Sequence, residues 1–284
     1  MDFEQFRGLV EQSLAEDIGS GDITTRALIP AGEKARAAIV ARQRLVTAGL
    51  PLARMIFLKL DPDLTSLIRV DEGEKVESGT VLIELEGSAS AILTGERTAL
   101  NLLQRLCGIA TLTSRFVAAA GVSVEILDTR KTLPGFRKLE KYAVKQGGGT
   151  NHRFGLYDSI LVKDNHLAVV ERFGAGRIRK AVNDCRRAFP EKEIEIEVEN
   201  LEELEEALAA AADIILLDNF TLDELAEAVI RTGGKALLEA SGGVDLDTIE
   251  AIARTGVDRI SVGALTHSVP AADIALTIEP PFVH

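Results

Sequence analysis

Residues 194–219 read IEIEVENLEELEEALAAAADIILLDN. Ile194, Ile196 and Val198 alternate with Glu195 and Glu197, the two-residue period of a strand. Leu201, Leu204 and Leu208 then recur at helical spacing, and a second apolar run, residues 214–217, ends in Asp218-Asn219. Strand, helix and strand in that order make a parallel βαβ unit with a right-handed crossover.

The same unit recurs on both sides. Upstream, residues 124–127 precede Asp128-Thr129-Arg130-Lys131, and residues 160–162 precede Lys163-Asp164-Asn165-His166. Downstream, residues 236–238 lead into Glu239-Ala240-Ser241-Gly242-Gly243, and residues 260–262 into Gly263-Ala264. Helical patterns over 222–231 and 246–254 fill the intervals. Six such units within about 160 residues favour an α/β barrel over an open sheet, and barrels carry their chemistry at the C-terminal ends of the strands. Those ends hold the charged and glycine-rich residues here.

The first 110 or so residues follow another pattern. Residues 3–16 have helical apolar spacing, 35–46 read as a strand, 52–60 as an amphipathic helix and 88–106 as a longer helix. Between them, residues 68–87 alternate Val, Leu and Ile with glycine turns, which predicts short antiparallel strands. They resemble the hairpins of lipoyl-type modules, but no lysine stands at the expected tight turn, so the segment reads as a structural sheet.

Composition narrows the function. The 284 residues are 46% hydrophobic and 27% charged, which is globular and not disordered. The longest unbroken apolar run, residues 207–212, is far short of a membrane span. The start, Met1-Asp2-Phe3-Glu4-Gln5, has no secretory signal pattern, and two isolated cysteines, Cys107 and Cys185, give neither a disulfide framework nor a zinc site. A cytoplasmic protein is expected. A net charge of −12 argues against bulk binding of nucleic acid or an anionic membrane.

Against that acidic background, Arg130, Lys131, Arg137, Lys138, Lys141, Lys145 and Arg153 face one acid, Glu140, between residues 129 and 153. Such an island suits a pocket for a small, highly charged anion; a solvated basic helix over 136–145 is the competing reading. Arg130, Lys131, Arg153 and Lys163 sit at strand mouths, where a planar fork and a point charge suit a substrate with several carboxylates or phosphates. Glu197 and Asp218 end two further strands, a pair suited to Mg²⁺ or ribose hydroxyls. Glu193, Glu195, Glu197 and Glu199 share one strand face, which points inward in a barrel; Glu193 and Glu195 read equally as a solvated acidic edge. Backbone N–H groups of Ser241-Gly242-Gly243 and Gly263-Ala264 suit phosphate.

Taken together, DTRKTLPG (128–135), KLEKYAVKQGGGTNH (138–152), LVKDNH (161–166), LLDNF (216–220), SGGV (241–244) and GALTHS (263–268) resemble the quinolinate phosphoribosyltransferase family, as do EDIGSGDITT (16–25) and GERTALNLLQRLCGIAT (95–111). The resemblance covers nearly the whole chain in order; Leu133, where threonine is commoner, and Cys107 are departures.

It implies an N-terminal α/β sandwich (1–108), an incomplete, about seven-stranded α/β barrel (109–270) and a C-terminal segment (271–284) packing back on the first domain. It implies a cytoplasmic enzyme that transfers phosphoribose from phosphoribosyl pyrophosphate to quinolinate with decarboxylation. Arg97, Thr129, Arg130, His152, Arg153 and Lys163 would bind quinolinate, with Arg97 reaching across a homodimer. Lys131, Lys163, Glu197, Asp218, Ser241, Gly242, Gly243, Val262, Gly263, Ala264 and His267 would bind the donor. Lys131, Glu197 and Asp218 would be catalytic, and Glu197 and Asp218 would face Mg²⁺.

Overall fold

The computed structural model describes residues 1–170 and 176–278; the expected C-terminal segment beyond 278 lies outside the described residues. A turn at Glu4–Phe6 leads to α1 (Arg7–Ile18), α2 (Ile23–Leu28), β1 (Lys34–Ala41), β2 (Leu45–Val46), α3 (Leu50–Leu60), β3 (Thr65–Ile68), β4 (Lys75–Val76), β5 (Val81–Ser88) and α4 (Ala89–Ala120). There follow β6 (Glu125–Leu127), α5 (Arg137–Gln146), β7 (Ile160–Val162), α6 (Asp164–Val170), α7 (Arg177–Ala188), β8 (Ile194–Val198), α8 (Leu201–Ala209) and β9 (Ile214–Asp218). The chain continues with α9 (Leu222–Thr232), β10 (Leu237–Ser241), α10 (Ile249–Arg254), β11 (Arg259–Ser261), α11 (Ala264–His267) and β12 (Ile274–Ile278). Two compact units result among the described residues, 1–112, 138–148 and 269–278 in one, 113–137, 149–170 and 176–268 in the other.

The first unit holds an antiparallel sheet in the order β12-β1-β5-β3 and a separate pair, β2-β4. The single strand expected over 35–46 is therefore two, because Leu45 and Val46 pair with β4 in a different sheet. Helix α4 passes straight through Gly108. A Cβ there would collide with the Pro270 carbonyl oxygen, so this glycine permits a close backbone approach and does not end the helix. Helix α3 starts at Gly49, which has no side chain to cap it. The Glu72 carboxylate does so from a distance, accepting from Gly49 N at 2.8 Å and Leu50 N at 2.7 Å, and Tyr142 donates its hydroxyl to the same carboxylate.

The basic stretch 129–153 is not one pocket, and its helix is solvated at Lys138 and Lys145 but not at Lys141. Lys138, Lys141 and Lys145 fall in the first unit with α5, and Arg130, Lys131, Arg137 and Arg153 in the second. On α5, Lys141 is buried, and the fully buried Glu140 accepts from Arg105 Nε at 3.1 Å and Nη2 at 2.6 Å.

The second unit is a six-stranded parallel sheet in the order β6-β11-β10-β9-β8-β7. Among the described residues six strands are present where about seven were expected. A lone bridge from Thr150 to Leu127 at the outer edge of β6 is the rudiment of another. The sheet curls strongly: side chains from β8 and β10, with β9 between them, come within 4.8 Å of each other. The register aligns Glu197 with Leu216, Leu216 with Glu239, and Asp218 with Ser241, so these residues share the inner face. The unit is an incomplete α/β barrel, open between β6 and β7.

Candidate functional site

A cavity of about 450 Å³ occupies the C-terminal mouth of that sheet. Thr129, Arg130 and Lys131 reach it from the end of β6, Lys163 from β7, Glu197 from β8, Asp218 from β9 and Ser241 from β10; His152 and Arg153 complete the rim. Lys163, Glu197, Asp218 and Ser241 are placed by alternation, each two residues beyond a buried position, and the others stand on the segments after β6 and α5.

Lys163 Nζ lies 2.7 Å from Glu197 Oε2. Asp218 is held above the usual carboxylate range by burial and by the neighbouring Glu197 charge, and it accepts from Asn219 Nδ2 at 2.8 Å. Glu197 and Asp218, on neighbouring strands of the same mouth, are a hard-oxygen donor pair, which fits Mg²⁺. Arg153 is pushed below its ordinary value by burial and by Arg130. Its Nη1 donates to Ser159 O at 3.1 Å, while the Nε atoms of Arg130 and Arg153 are buried without a hydrogen-bond partner. Two guanidiniums crowded together under these conditions make a strong site for an anion with more than one carboxylate.

Arg137, which also belongs to the basic run, does not line the cavity. It ties the rim together instead, donating to Thr132 Oγ1 at 3.0 Å, Phe154 O at 3.1 Å and Arg130 O at 3.2 Å. His152 lines the cavity, but both ring nitrogens are engaged in the protein. Nδ1 accepts from Arg153 N at 2.7 Å, and Nε2 lies 3.0 Å from Glu195 Oε2 and 3.5 Å from Glu239 Oε1. Asp128, fully buried, fixes the same turn by accepting from His152 N at 2.9 Å.

The glycine-rich strand ends are shaped for backbone exposure. Gly242 (φ 100°) and Gly243 (φ 59°) adopt left-handed conformations in succession, and a Cβ on Gly242 would collide with the Asn219 side-chain amide. A Cβ on Gly263 would come within 2.9 Å of His267 Nε2 and 3.2 Å of Lys131 Cδ, so His267 and Lys131 converge on this strand end. Lys131 O accepts from Thr266 Oγ1 at 2.8 Å, which holds the lysine's backbone against α11. Val262 differs from the sequence expectation. Its side chain is core, and its N–H donates to Leu127 O at 2.9 Å, leaving no donor for a phosphate.

Arg97, on α4 of the first unit, is exposed and is not among the residues lining this cavity. Glu195 is buried at 3% exposure and is no solvated edge. Glu239, which the sequence reading passed over, is fully buried in the floor of the cavity. Strand β10 runs to Ser241 and not to residue 238; counting back two from Ser241 would have revealed Glu239 as inward-facing.

An incomplete α/β barrel with clustered cations, a carboxylate pair and glycine-lined strand ends at one mouth defines an enzyme class that acts on small polyanions. Comparison with known proteins narrows the class to a family. The quinolinate phosphoribosyl transferase C-terminal domain matches residues 109–277, and the N-terminal domain of the same family matches residues 22–107. The chain is 43% identical over 281 residues to the probable nicotinate-nucleotide pyrophosphorylase [carboxylating] of Bacillus subtilis, covering 98% of this chain and 95% of that one. It is 43% identical over 284 residues to the nicotinate-nucleotide pyrophosphorylase [carboxylating] of Mycobacterium leprae, covering 98% of each. The solved nicotinate-nucleotide pyrophosphorylase of Francisella tularensis superposes with a TM-score of 0.91 at 40% identity, covering 98% of each chain. The chain belongs to the quinolinate phosphoribosyl transferase family.

Proposed function

We propose that the chain transfers the phosphoribosyl group of phosphoribosyl pyrophosphate to the ring nitrogen of quinolinate and releases the adjacent carboxylate as CO₂. The products are nicotinate mononucleotide, CO₂ and pyrophosphate, a step of NAD biosynthesis. The observation that carries this reading is the convergence of Arg130, Lys131, Arg153 and Lys163 with Glu197 and Asp218 on one cavity. A single-carboxylate acceptor would not call for so many cations.

Arg130, Arg153 and Thr129 hold the dicarboxylate so that its nitrogen faces C1 of the ribose. His152 supports that geometry through its bond to Arg153 N and its ring face. Lys163 releases Glu197 as the acceptor's carboxylate takes its place, and Glu197 with Asp218 then stabilises the positive charge that builds on the ribose as pyrophosphate departs. Lys131 neutralises the leaving group. The exposed backbone at Ser241-Gly242-Gly243 and at Gly263-Ala264, with His267, receives the 5′-phosphate. Glu197 and Asp218 would hold Mg²⁺, which when bound supplies charge neutralisation for pyrophosphate. Ribosylation makes the ring nitrogen cationic, and that cation draws the electrons left when CO₂ departs.

A homodimer in which Arg97 of each subunit completes the other's acceptor site accounts for an exposed arginine absent from its own cavity's lining. No helix among the described residues is long and apolar enough to cross a membrane, in keeping with work in the cytoplasm on soluble metabolites. The test is pyrophosphate release with phosphoribosyl pyrophosphate and Mg²⁺ and either quinolinate or nicotinate as acceptor. Release with quinolinate at least 100-fold faster than with nicotinate is expected; preference for nicotinate overturns the reading.

A further inference from the structure

Beneath the acceptor site lies a second charged cluster that the transfer reaction leaves without a task. Glu239 on β10 is fully buried, and neither of its carboxylate oxygens has a hydrogen-bond partner. Ser261 on β11 approaches it outside hydrogen-bond geometry, Glu195 faces it from β8, and His152 Nε2 stands 3.5 Å away. Three groups so placed could ligate a metal, but the imidazole argues otherwise. Nδ1 accepts a backbone N–H from Arg153, so the ring proton is on Nε2 and points at the two carboxylates. Metal at Nε2 would demand an imidazolate. Two carboxylates served by one N–H, in a water-poor floor, share a proton instead.

We propose that Glu239 is the general acid that completes decarboxylation, delivering its proton to the ring carbon from which CO₂ leaves. The inference rests on the function proposed above. In the ribosylated intermediate the bond between that carbon and its carboxyl group breaks, CO₂ departs and the bonding electron pair stays on the carbon. The proton of the Glu239 carboxyl group reaches that carbon as the bond breaks, before CO₂ can recombine with it, and Glu239 becomes a carboxylate. Water then returns the proton. The path back is a second cavity of about 400 Å³, lined by His152, Arg153, Glu195 and, at its outer end, Glu191, Lys192 and Glu193. His152 and Arg153 line both cavities, so the cluster stands between the substrate mouth and this second opening.

Geometry and charge agree on the role. Glu239 lines the same cavity as Arg130 and Arg153 and is one inner-face layer below Ser241. A neutral acid there does not repel the incoming dianion, as a carboxylate would. Burial and the Glu195 charge push Glu239 up to about 7, against the opposing influence of His152, Ser261 and Arg259. Near neutral pH a substantial fraction of it therefore keeps its proton and is able to donate.

The experiment follows pyrophosphate and CO₂ in the same single-turnover reaction with quinolinate and phosphoribosyl pyrophosphate. Glu239→Gln, nearly isosteric, should slow CO₂ release at least tenfold more than pyrophosphate release and accumulate the nucleotide that still carries both carboxylates. Release of CO₂ in step with pyrophosphate by this variant overturns the proposal while leaving the proposed function intact. Failure of the unmodified enzyme to release pyrophosphate would instead defeat the function itself. If Glu239→Gln does not fold, the unmodified enzyme decides. Its CO₂ rate relative to its pyrophosphate rate should fall as pH rises from 6 to 9, and a constant ratio overturns the proposal.

Discussion

Lys163 Nζ and Glu197 Oε2 are 2.7 Å apart across the mouth of the second unit, joining the end of β7 to β8. The lysine side chain is 46% exposed and the glutamate 11%, so the pair can open toward solvent at modest cost.

Lys163→Ala therefore removes a substrate contact and leaves Glu197 without its counter-ion. Turnover should drop by at least ~100-fold, because the missing charge acts on the transition state. Arg130→Ala should do the same through the acceptor. Both variants should fold, with Lys163→Ala melting lower than Arg130→Ala because it leaves the largely buried Glu197 unpaired. Initial rates and thermal unfolding check this; near-normal turnover in both variants would remove them from the site.

Gly242→Ala tests the glycine-rich strand end. Its φ of 100° and the encroaching Asn219 amide forbid a Cβ. The substitution should cost about 1–3 kcal/mol of stability and raise KM for phosphoribosyl pyrophosphate more than KM for quinolinate. Gly79→Ala, also left-handed but with open space around its Cβ, should lower stability without changing either KM.

The barrel was legible because its strands end where charge begins: Ile160–Val162 before Lys163 and Ile194–Val198 around Glu197 needed only periodicity. Arg130, Lys131, Arg153 and Lys163 were legible as cations at strand mouths, and the structure gathers them on one cavity. Glu239 was not legible, because a glutamate in a run reading LLEAS looks like the end of a strand, and only register shows that β10 continues past it. Nor was the division of the basic stretch. Lys141 and Glu140 carry charge in the sequence and burial in the fold, and the partner that explains Glu140, Arg105, is 35 residues away. Gly108 likewise reads as a break by composition but serves a close backbone approach.

Glu72 offers a stability test outside the active site. Its carboxylate accepts from Gly49 N, Leu50 N and the Tyr142 hydroxyl, and burial together with this hydrogen bond raises the tyrosine's proton affinity. Glu72→Ala should destabilise the first unit by about 2–4 kcal/mol, measured by urea unfolding, since it leaves a helix start uncapped.

Stability should also depend on pH through Glu239. The folded chain holds this proton up to about 7, whereas the unfolded chain releases it near 4.5. Between those values the folded state binds more protons, so stability declines as pH rises across that window and levels off above it. Glu195, His152, Ser261 and Arg259 are the groups that face it. Glu239→Gln should flatten the decline. Urea midpoints at pH 5 and pH 8 that differ as much in the variant as in the parent would contradict this.

The central claim is most directly tested by CO₂ release from quinolinate labelled in the carboxyl group next to the ring nitrogen. The account predicts label released as CO₂ in equal amount to pyrophosphate, and only when quinolinate, phosphoribosyl pyrophosphate and Mg²⁺ are all present. Absence of labelled CO₂ from a folded sample under those conditions, or release without phosphoribosyl pyrophosphate, would contradict it.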